Sequence, residues 1–203
     1  MFKQKKDKMN RPYRIGITGG IGSGKTTVCQ IFESLGIPIY YADYWAKWLI
    51  ENDEKIVAEM IAAFGSETYT NGQYNRAYIA DIIFKDRSKL AQINAIVHPA
   101  VEQHSQNWHA QQTHAPYTIK EAALMIESGS HQYLDGLIVV TAPEAVRIAR
   151  VMARDGSDEN AVRNRIANQM PESQKVALAD WVIENDGKRG IVPQVWTLHQ
   201  ILK

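Results

Sequence analysis

Short apolar runs alternate along the chain with longer segments whose apolar residues recur at helical spacing. Five of the runs are predicted strands, at residues 13–18, 37–41, 117–124, 137–141 and 181–183. Short, nearly continuous apolar strands that alternate with helices are typical of a parallel sheet covered by helices on both faces. The pattern therefore predicts a three-layer α/β/α fold with a five-stranded parallel sheet.

The segments between these runs are predicted helices. Helical spacing covers residues 25–35, where Gly36 follows as a C-terminal cap, and a closing helix covers residues 191–202. Residues 44–101 are also helical in pattern, with a turn at Asn71-Gly72. No linker separates two independent domains, so this helical stretch is interpreted as an insertion between the second and third strands of a single domain.

Composition and charge add constraints on the class of protein. The 203 residues are 45% hydrophobic and 22% charged with a formal net charge of +1, which gives no overall field for nucleic acid or membrane. Cys29 is the single cysteine, so no internal disulfide forms. The basic segment 1–14 lacks the apolar stretch of a signal peptide and is predicted to be a disordered tail, and the longest apolar runs are too short to span a bilayer. We expect a cytoplasmic protein, and the sequence does not indicate an oligomeric state.

A phosphate-binding loop follows the first predicted strand. Gly19, Gly24, Lys25 and Thr26 occupy the fixed positions of the pattern Gly-x-x-x-x-Gly-Lys-Ser/Thr, at the start of a predicted helix. Backbone N–H groups of such a loop converge on a phosphate, and the helix N-terminus adds positive charge. Lysine neutralises the β- and γ-phosphates and the threonine hydroxyl binds Mg²⁺. We therefore predict a nucleoside triphosphate and Mg²⁺ as ligands, with Thr26 on the metal and further contacts from Gly22, Ser23 and Thr27.

The rest of the chain favours a small-molecule kinase among the proteins that use this loop. The Asn-Lys-x-Asp motif by which GTPases recognise guanine is absent, and the long apolar strand ending in acidic residues that motors carry is not evident. Asp43 closes the second predicted strand, on the edge of the sheet where ligands bind. Its carboxylate is a candidate base for an attacking hydroxyl; the alternative is that it only caps the next helix.

Arginines after the fourth strand are candidates for stabilising the transferred phosphoryl group. Arg147, Arg150 and Arg154 share one helical face, and Arg163 and Arg165 follow in a polar segment that is interpreted as a mobile lid. A solvated basic face is the alternative. Other residues could be functional or structural: Glu121 and Glu127 as holders of a magnesium water, and His98 as a catalytic or a structural histidine.

Together these residues resemble those of the dephospho-coenzyme A kinase family over almost the whole chain, from residue 13 to residue 202. The matching pieces, in the order of the family, are residues 18–27, Ala42-Asp43, Phe64-Gly65, Asn75-Arg76, His98-Pro99, residues 124–127, Arg154-Asp155 and residues 183–187. The Thr-Gly-Gly-Ile-Gly-Ser-Gly-Lys form of the loop is a more specific sequence signature than the general pattern.

The resemblance implies an adenylate-kinase-like architecture and a reaction. It implies a core at about 13–43, 115–145 and 176–203, a helical coenzyme-A-binding insertion at about 44–114 and a lid at about 146–175. It also implies transfer of the γ-phosphate of ATP to the 3′-hydroxyl of dephospho-coenzyme A, the last step of coenzyme A synthesis.

The resemblance assigns roles to individual residues as well. Asp43 matches the base, Arg76 and His98 match positions on the acceptor side, Arg150 lies where a lid arginine is expected, and Asn185 belongs to a segment near the adenine. Two departures stand out. Tyr41 replaces the first carboxylate of the usual Asp-Ala-Asp, and residues 123–127 read Ala-Leu-Met-Ile-Glu where the family often has Pro-Leu-Leu-Phe-Glu.

Two other functions are compatible with the motifs taken alone. One is a kinase for another small acceptor, such as a nucleoside monophosphate. The other is a regulatory module that binds ATP without transferring phosphate. Assays of ADP release with dephospho-coenzyme A and with a panel of nucleotides as acceptors separate all three.

Overall fold

The central sheet is built from the five apolar runs of the sequence. The computed structural model describes residues 11–203, and residues 1–10 of the predicted basic tail lie outside this range. In chain order the elements are β1 (Tyr13–Thr18), α1 (Lys25–Ser34), β2 (Ile39–Tyr41), α2 (Ala42–Asn52), α3 (Glu54–Phe64), β3 (Tyr69–Thr70), β4 (Gln73–Tyr74), α4 (Arg76–Lys85), α5 (Ser88–Ala110), β5 (Tyr117–Glu121), β6 (Gly136–Thr141), α6 (Glu144–Asp155), α7 (Glu159–Ala167), α8 (Glu172–Ala177), β7 (Trp181–Glu184) and α9 (Ile191–Leu202).

All neighbouring strands of the main sheet run parallel, in the order β2-β5-β1-β6-β7. This arrangement confirms the predicted α/β class. Because parallel strands end at the same edge, the residues that follow β1, β6 and β7 come close together there. The phosphate-binding loop, the start of α6 and Asn185 are those residues.

The described chain divides into two compact units, residues 11–41 with 108–203 and residues 42–107. In the first unit, α1 and α9 cover the sheet and share its core. Phe32 of α1 lies edge-on to Tyr117 of β5, with ring centroids 6.3 Å apart, and Val195 and Leu198 of α9 join the same cluster. Cys29 is completely buried in this core, and burial together with the nearby Glu121 carboxylate raises the pKa of its thiol.

The second unit consists of α2, α3, α4, most of α5 and a small hairpin. Ile56, Met60 and Phe64 form the buried face of α3, at the helical spacing seen in the sequence. The predicted turn at Asn71-Gly72 is present, with φ of 52° and 75°, as a two-residue hairpin loop requires. It joins β3 to β4, and the sequence analysis did not predict these two-residue strands.

Candidate active site

Residues 19–24 wrap from the end of β1 into α1 and form the phosphate-binding loop. Gly22 and Gly24 have φ of 76° and 93°, in the left-handed region that favours glycine. A Cβ on Gly22 would lie 2.5 Å from the carbonyl oxygen of Arg147, and one on Gly24 would lie 2.2 Å from Nδ2 of Asn185. The glycines therefore allow both the curvature of the loop and the close approach of its neighbours.

Two polar side chains of the phosphate-binding loop, those of Lys25 and Ser23, are buried. The ammonium of Lys25 donates to the carbonyl oxygens of Gly19 and Gly20, at 3.1 and 3.4 Å, so the cation lies on the loop itself. The hydroxyl of Ser23 is buried and has no hydrogen-bond partner in the described part of the chain. Buried hydroxyls are normally paired, so this oxygen is an exception within the loop. Thr26 and Thr27 are exposed in the first turn of α1.

Arg150 and Asn185 meet at the loop although 35 residues separate them. Nη2 of Arg150 donates to the backbone oxygen and to Oδ1 of Asn185, both at 3.1 Å, and Nη1 is 3.5 Å from the carbonyl of Gly22. Asn185 in turn donates from Nδ2 to the carbonyl of Ser23 at 2.8 Å. Five of the predicted nucleotide-site residues, Gly22, Ser23, Lys25, Arg150 and Asn185, thus lie together.

The structure places Arg147, a candidate from its spacing, and Gln169, which was not predicted, at this site. Arg147 is only 5% exposed and pairs with Glu172 at 3.2 Å, so it is not part of a solvated face. Oε1 of Gln169 accepts the N–H of Ile21 in the loop at 2.9 Å. Arg147 had a sequence signal in its spacing from Arg150, whereas nothing in the sequence around Gln169 pointed to the loop.

These residues border a cavity of about 330 Å³. Its lining comes from the loop, from the start of α6 and from the segment that joins α7 to α8: Gly20, Ala142, Pro143, Glu144, Arg147, Ile166, Gln169, Met170, Pro171 and Glu172. The cavity therefore lies beside the loop, with a buried arginine in its wall.

Glu127 anchors the segment that leads into α8. Its Oε1 lies 2.7 Å from Nζ of Lys175, which is completely buried, and accepts the N–H of Met170 at 3.0 Å. Burial opposes ionisation of the carboxyl, but the hydrogen bonds from Lys175 and Met170 outweigh it and hold the pKa of Glu127 below its usual value. This carboxylate thus has a structural role in the first unit. Glu121 is buried at the end of β5.

Other predicted arginines make exposed ion pairs. Arg154 and Arg165 both contact Asp155, at 2.7 and 3.0 Å, and Arg163 pairs with Glu144 and Glu159. For these three side chains the solvated alternative fits, because surface ion pairs of this kind contribute little free energy.

The residues predicted for the acceptor lie in the second unit. Asp43 is exposed in the first turn of α2, which begins at Ala42, so Asp43 is not the residue that precedes and caps the helix. Arg76 opens α4, and its Nη2 lies 3.2 Å from Oε1 of Glu51 on α2. His98 is exposed within α5, directly before Pro99.

Tyr41 stands at the end of β2, at the position where the resemblance leads us to expect a carboxylate. Its hydroxyl donates to Oε2 of Glu33 at 3.0 Å, and burial and this hydrogen bond raise the pKa of the phenol. The position therefore supplies a neutral donor that is already engaged with α1, not a negative charge.

No group of three or more His, Cys, Asp or Glu side chains within residues 11–203 is arranged to hold a metal ion. In the same range, no helix is both long and apolar enough to cross a bilayer.

Comparison with known proteins supplies the family context. The family model described as dephospho-CoA kinase (CoaE) matches residues 13–190. A dephospho-CoA kinase of Bacteroides fragilis is 34% identical over 185 residues, which cover 91% of this chain and 90% of that protein.

Among solved structures, TT1252 from Thermus thermophilus is 35% identical with a TM-score of 0.80, over 95% of this chain and 97% of that one. A dephospho-CoA kinase from Campylobacter jejuni has a TM-score of 0.68 at 21% identity, over 92% of this chain and 95% of its own, and supports the fold.

Proposed function

The chain belongs to the dephospho-CoA kinase family, and from this premise we propose which of its residues carry out the reaction. The activity of the family is an ATP-dependent phosphoryl transfer: the γ-phosphate of ATP passes to the ribose 3′-hydroxyl of dephospho-CoA, which gives CoA and ADP. The observation that carries the proposal is the phosphate-binding loop, with Lys25 lying on its carbonyls and the Ser23 hydroxyl buried without a protein partner.

Lys25 and the loop bind the triphosphate of ATP in this proposal. The N–H groups of residues 22–27 surround the β-phosphate, and the ammonium of Lys25 moves from the carbonyls of Gly19 and Gly20 to the phosphate oxygens. Ser23 then gains the partner that its hydroxyl lacks. Arg150, held by Asn185 within 3.5 Å of the loop carbonyl of Gly22, supplies positive charge for the transferred group.

Mg²⁺ is the second part of the proposal, and the donor set of the chain suits it. Thr26 offers an exposed hydroxyl in the first turn of α1, and the described residues hold no carboxylate cage for a metal. Mg²⁺ keeps several waters and binds substrate phosphates, and the Ser/Thr of a loop of this kind is one of its ligands, so Thr26 is the proposed protein ligand. The ion, when bound, neutralises charge on the phosphates.

Asp43 is the proposed base. Its carboxylate accepts the proton of the 3′-hydroxyl while the oxygen forms a bond to the γ-phosphorus, and the bond between that phosphorus and the bridging oxygen of ADP breaks. Its exposure in the first turn of α2 leaves the carboxylate accessible to a substrate. Arg76 and His98, in the same unit, are proposed to bind the acceptor.

The assignment is tested by mass spectrometry of the product made from ATP and dephospho-CoA, together with a coupled assay of ADP release. We expect CoA, and we expect Asp43→Asn to lower kcat by about 100-fold or more while ATP still binds, since general-base groups contribute about 10²–10⁴. Asp81→Asn is the matched control, because Asp81 is an exposed carboxylate of the same unit.

Other results would overturn the assignment. Transfer to a nucleoside monophosphate in place of dephospho-CoA would show a different acceptor. Normal turnover by Asp43→Asn would remove Asp43 from the mechanism. The proposal also includes a cytoplasmic location and small-molecule partners, without nucleic acid or membrane, which agrees with the net charge of +1.

A further inference from the structure

The exposed face of α2 carries two aromatic rings beside the proposed base. Asp43, Tyr44, Lys47, Trp48 and Glu51 are all exposed. At 3.6 residues per turn they fall within about 140° of the helix circumference, and Trp48 lies about 7 Å along the axis from Asp43. The exposed face of α2 thus carries the carboxylate of Asp43, the ammonium of Lys47 and two large aromatic rings.

These rings are supported from below. The ring of Trp45 meets that of Tyr44 edge to face at 5.3 Å and that of Trp48 at 5.7 Å, and His104 of α5 lies 4.4 Å from Trp45. Edge-to-face pairs of this kind fix ring orientation. Tyr44 nevertheless remains 60% exposed and Trp48 42% exposed. The helix therefore presents held aromatic surfaces that the described chain leaves uncovered.

We infer that Tyr44 and Trp48 form a stacking site for the adenine of dephospho-CoA, an inference that rests on the proposed function. The hydroxyl that reacts belongs to the ribose that also carries the adenine. If Asp43 holds this hydroxyl, the covalent structure of the nucleotide brings the adenine to the same face of α2. Aromatic side chains bind nucleobases by stacking on their faces.

The charges on this face complement the rest of the acceptor. Lys47 projects one helical turn after Asp43, in the row that continues to Glu51. Glu51 pairs with Arg76 at 3.2 Å, so the charges of these two side chains balance each other. The diphosphate attached to the adenosine is anionic, and the ammonium of Lys47 near the aromatic pair matches it.

The test measures acceptor binding separately from catalysis. We expect Tyr44→Ala and Trp48→Ala each to raise the KM for dephospho-CoA about 10-fold, because stacking of one base contributes about 1–3 kcal/mol and 1.4 kcal/mol is a factor of 10. The KM for ATP should stay within about twofold, since no nucleotide-site residue is altered. Calorimetric titration with dephospho-CoA alone should show the same loss of affinity for the two alanine variants. Trp48→Phe, which keeps a ring, should retain most of the wild-type affinity.

Phe84→Ala is the matched control, because Phe84 is an aromatic side chain of the same unit that lies on α4 and is 88% exposed. The stacking site is wrong if the double variant Tyr44→Ala with Trp48→Ala keeps the wild-type KM and affinity for dephospho-CoA. It is also wrong if Phe84→Ala raises the KM equally. A wild-type enzyme without turnover of dephospho-CoA would instead remove the proposed function itself.

Discussion

At the scale of single residues, Asn185 connects three parts of the nucleotide site. Its Nδ2 binds the loop carbonyl of Ser23 at 2.8 Å, and its Oδ1 holds Arg150 at 3.1 Å. The backbone N–H bonds to Thr141 at 2.8 Å, which fixes Asn185 at the carboxyl edge of the sheet. One amide side chain thus sets the loop and the arginine relative to each other.

Asn185→Ala should therefore weaken ATP binding more than acceptor binding. Loss of a hydrogen bond to a charged group and of one to a buried carbonyl costs about 1–3 kcal/mol each, so we expect the KM for ATP to rise about 10-fold or more. The KM for dephospho-CoA should change little. Initial rates measured at varied ATP check this, with the exposed Lys188→Ala as control. A normal KM for ATP with only a lower Tm would give Asn185 a role in folding alone.

His109 makes the stability of the first unit depend on pH. It is 7% exposed, and its Nδ1 lies 2.7 Å from the hydroxyl of Thr118. Burial, aided by the cations Arg14 and Arg11, lowers the pKa of His109 from 6.5 to about 4. The unfolded chain then takes up a proton below pH 6.5 that the folded chain resists until about pH 4.

The free energy of unfolding should consequently fall by about 2–3 kcal/mol through this group as the pH drops from 6.5 to 4. Urea denaturation at several pH values measures the slope. His109→Gln should flatten it, whereas His114→Gln, an exposed histidine four residues from Thr118, should not. Equal slopes for the wild type and His109→Gln would contradict the prediction.

Residue patterns in the sequence located the phosphate-binding loop because its fixed glycines, lysine and threonine all lie within residues 19–26. The burial of Arg147 could not be predicted in the same way. Its spacing from Arg150 fixes a common face of a helix but not what packs on that face, which here is the loop and Glu172. Gln169 meets Ile21 across 148 residues, a contact that no local pattern encodes.

At the scale of elements, the short helix α8 is held by the ion pair of Lys175 with Glu127, in addition to that of Glu172 with Arg147. Lys175, with no exposed surface, points to Glu127 in the turn after β5, and the carbonyl of Ala123 is 3.5 Å from the same ammonium. The pair therefore joins α8, and through the backbone of Met170 the segment that carries Gln169, to the sheet.

Glu127→Gln should destabilise the protein by about 3 kcal/mol, because it leaves a buried ammonium without its counter-charge. Adding Lys175→Met should recover most of the loss, since a buried pair is often replaced by apolar groups at little cost. Urea denaturation of the single and double variants gives the coupling between the two sites. A single variant as stable as the wild type would show that α8 is held by other contacts.

Elements were predictable where they are long or strongly apolar. β1 begins and ends where its pattern predicts, at Tyr13 and Thr18. β5 ends at Glu121, three residues before the predicted end, because Leu124 starts a turn whose carbonyl binds the N–H of Ser128 at 2.9 Å. The hairpin of β3 and β4 was missed because two-residue strands are too short to show alternation.

At the scale of the whole molecule, the proposed ligands map onto separate units. The loop, Arg150 and Asn185 belong to the first unit, whereas Asp43, Arg76 and the aromatic face of α2 belong to the second. Because the two sets of residues belong to different units, the effect of each ligand on backbone amide exchange can be measured separately in each unit.

Hydrogen exchange should then show two distinct footprints. ATP with Mg²⁺ should slow exchange of backbone amides at residues 19–27 and near Gln169, because these groups border the phosphates. Dephospho-CoA alone should slow exchange at residues 42–52. Mass spectrometry of peptides from both complexes reads this out, and protection of the loop but not of α2 by dephospho-CoA would contradict the assignment of the acceptor residues.

The buried thiol in the core has a practical consequence. Cys29 is the single cysteine, it is 0% exposed, and burial raises its pKa, so alkylating reagents reach a reactive thiolate only when the first unit opens. The rate of Cys29 labelling at low denaturant thus measures how often the first unit opens, without any engineered probe. A bound nucleotide stabilises the closed form by mass action, so the labelling rate should fall as the fraction of protein with bound nucleotide rises.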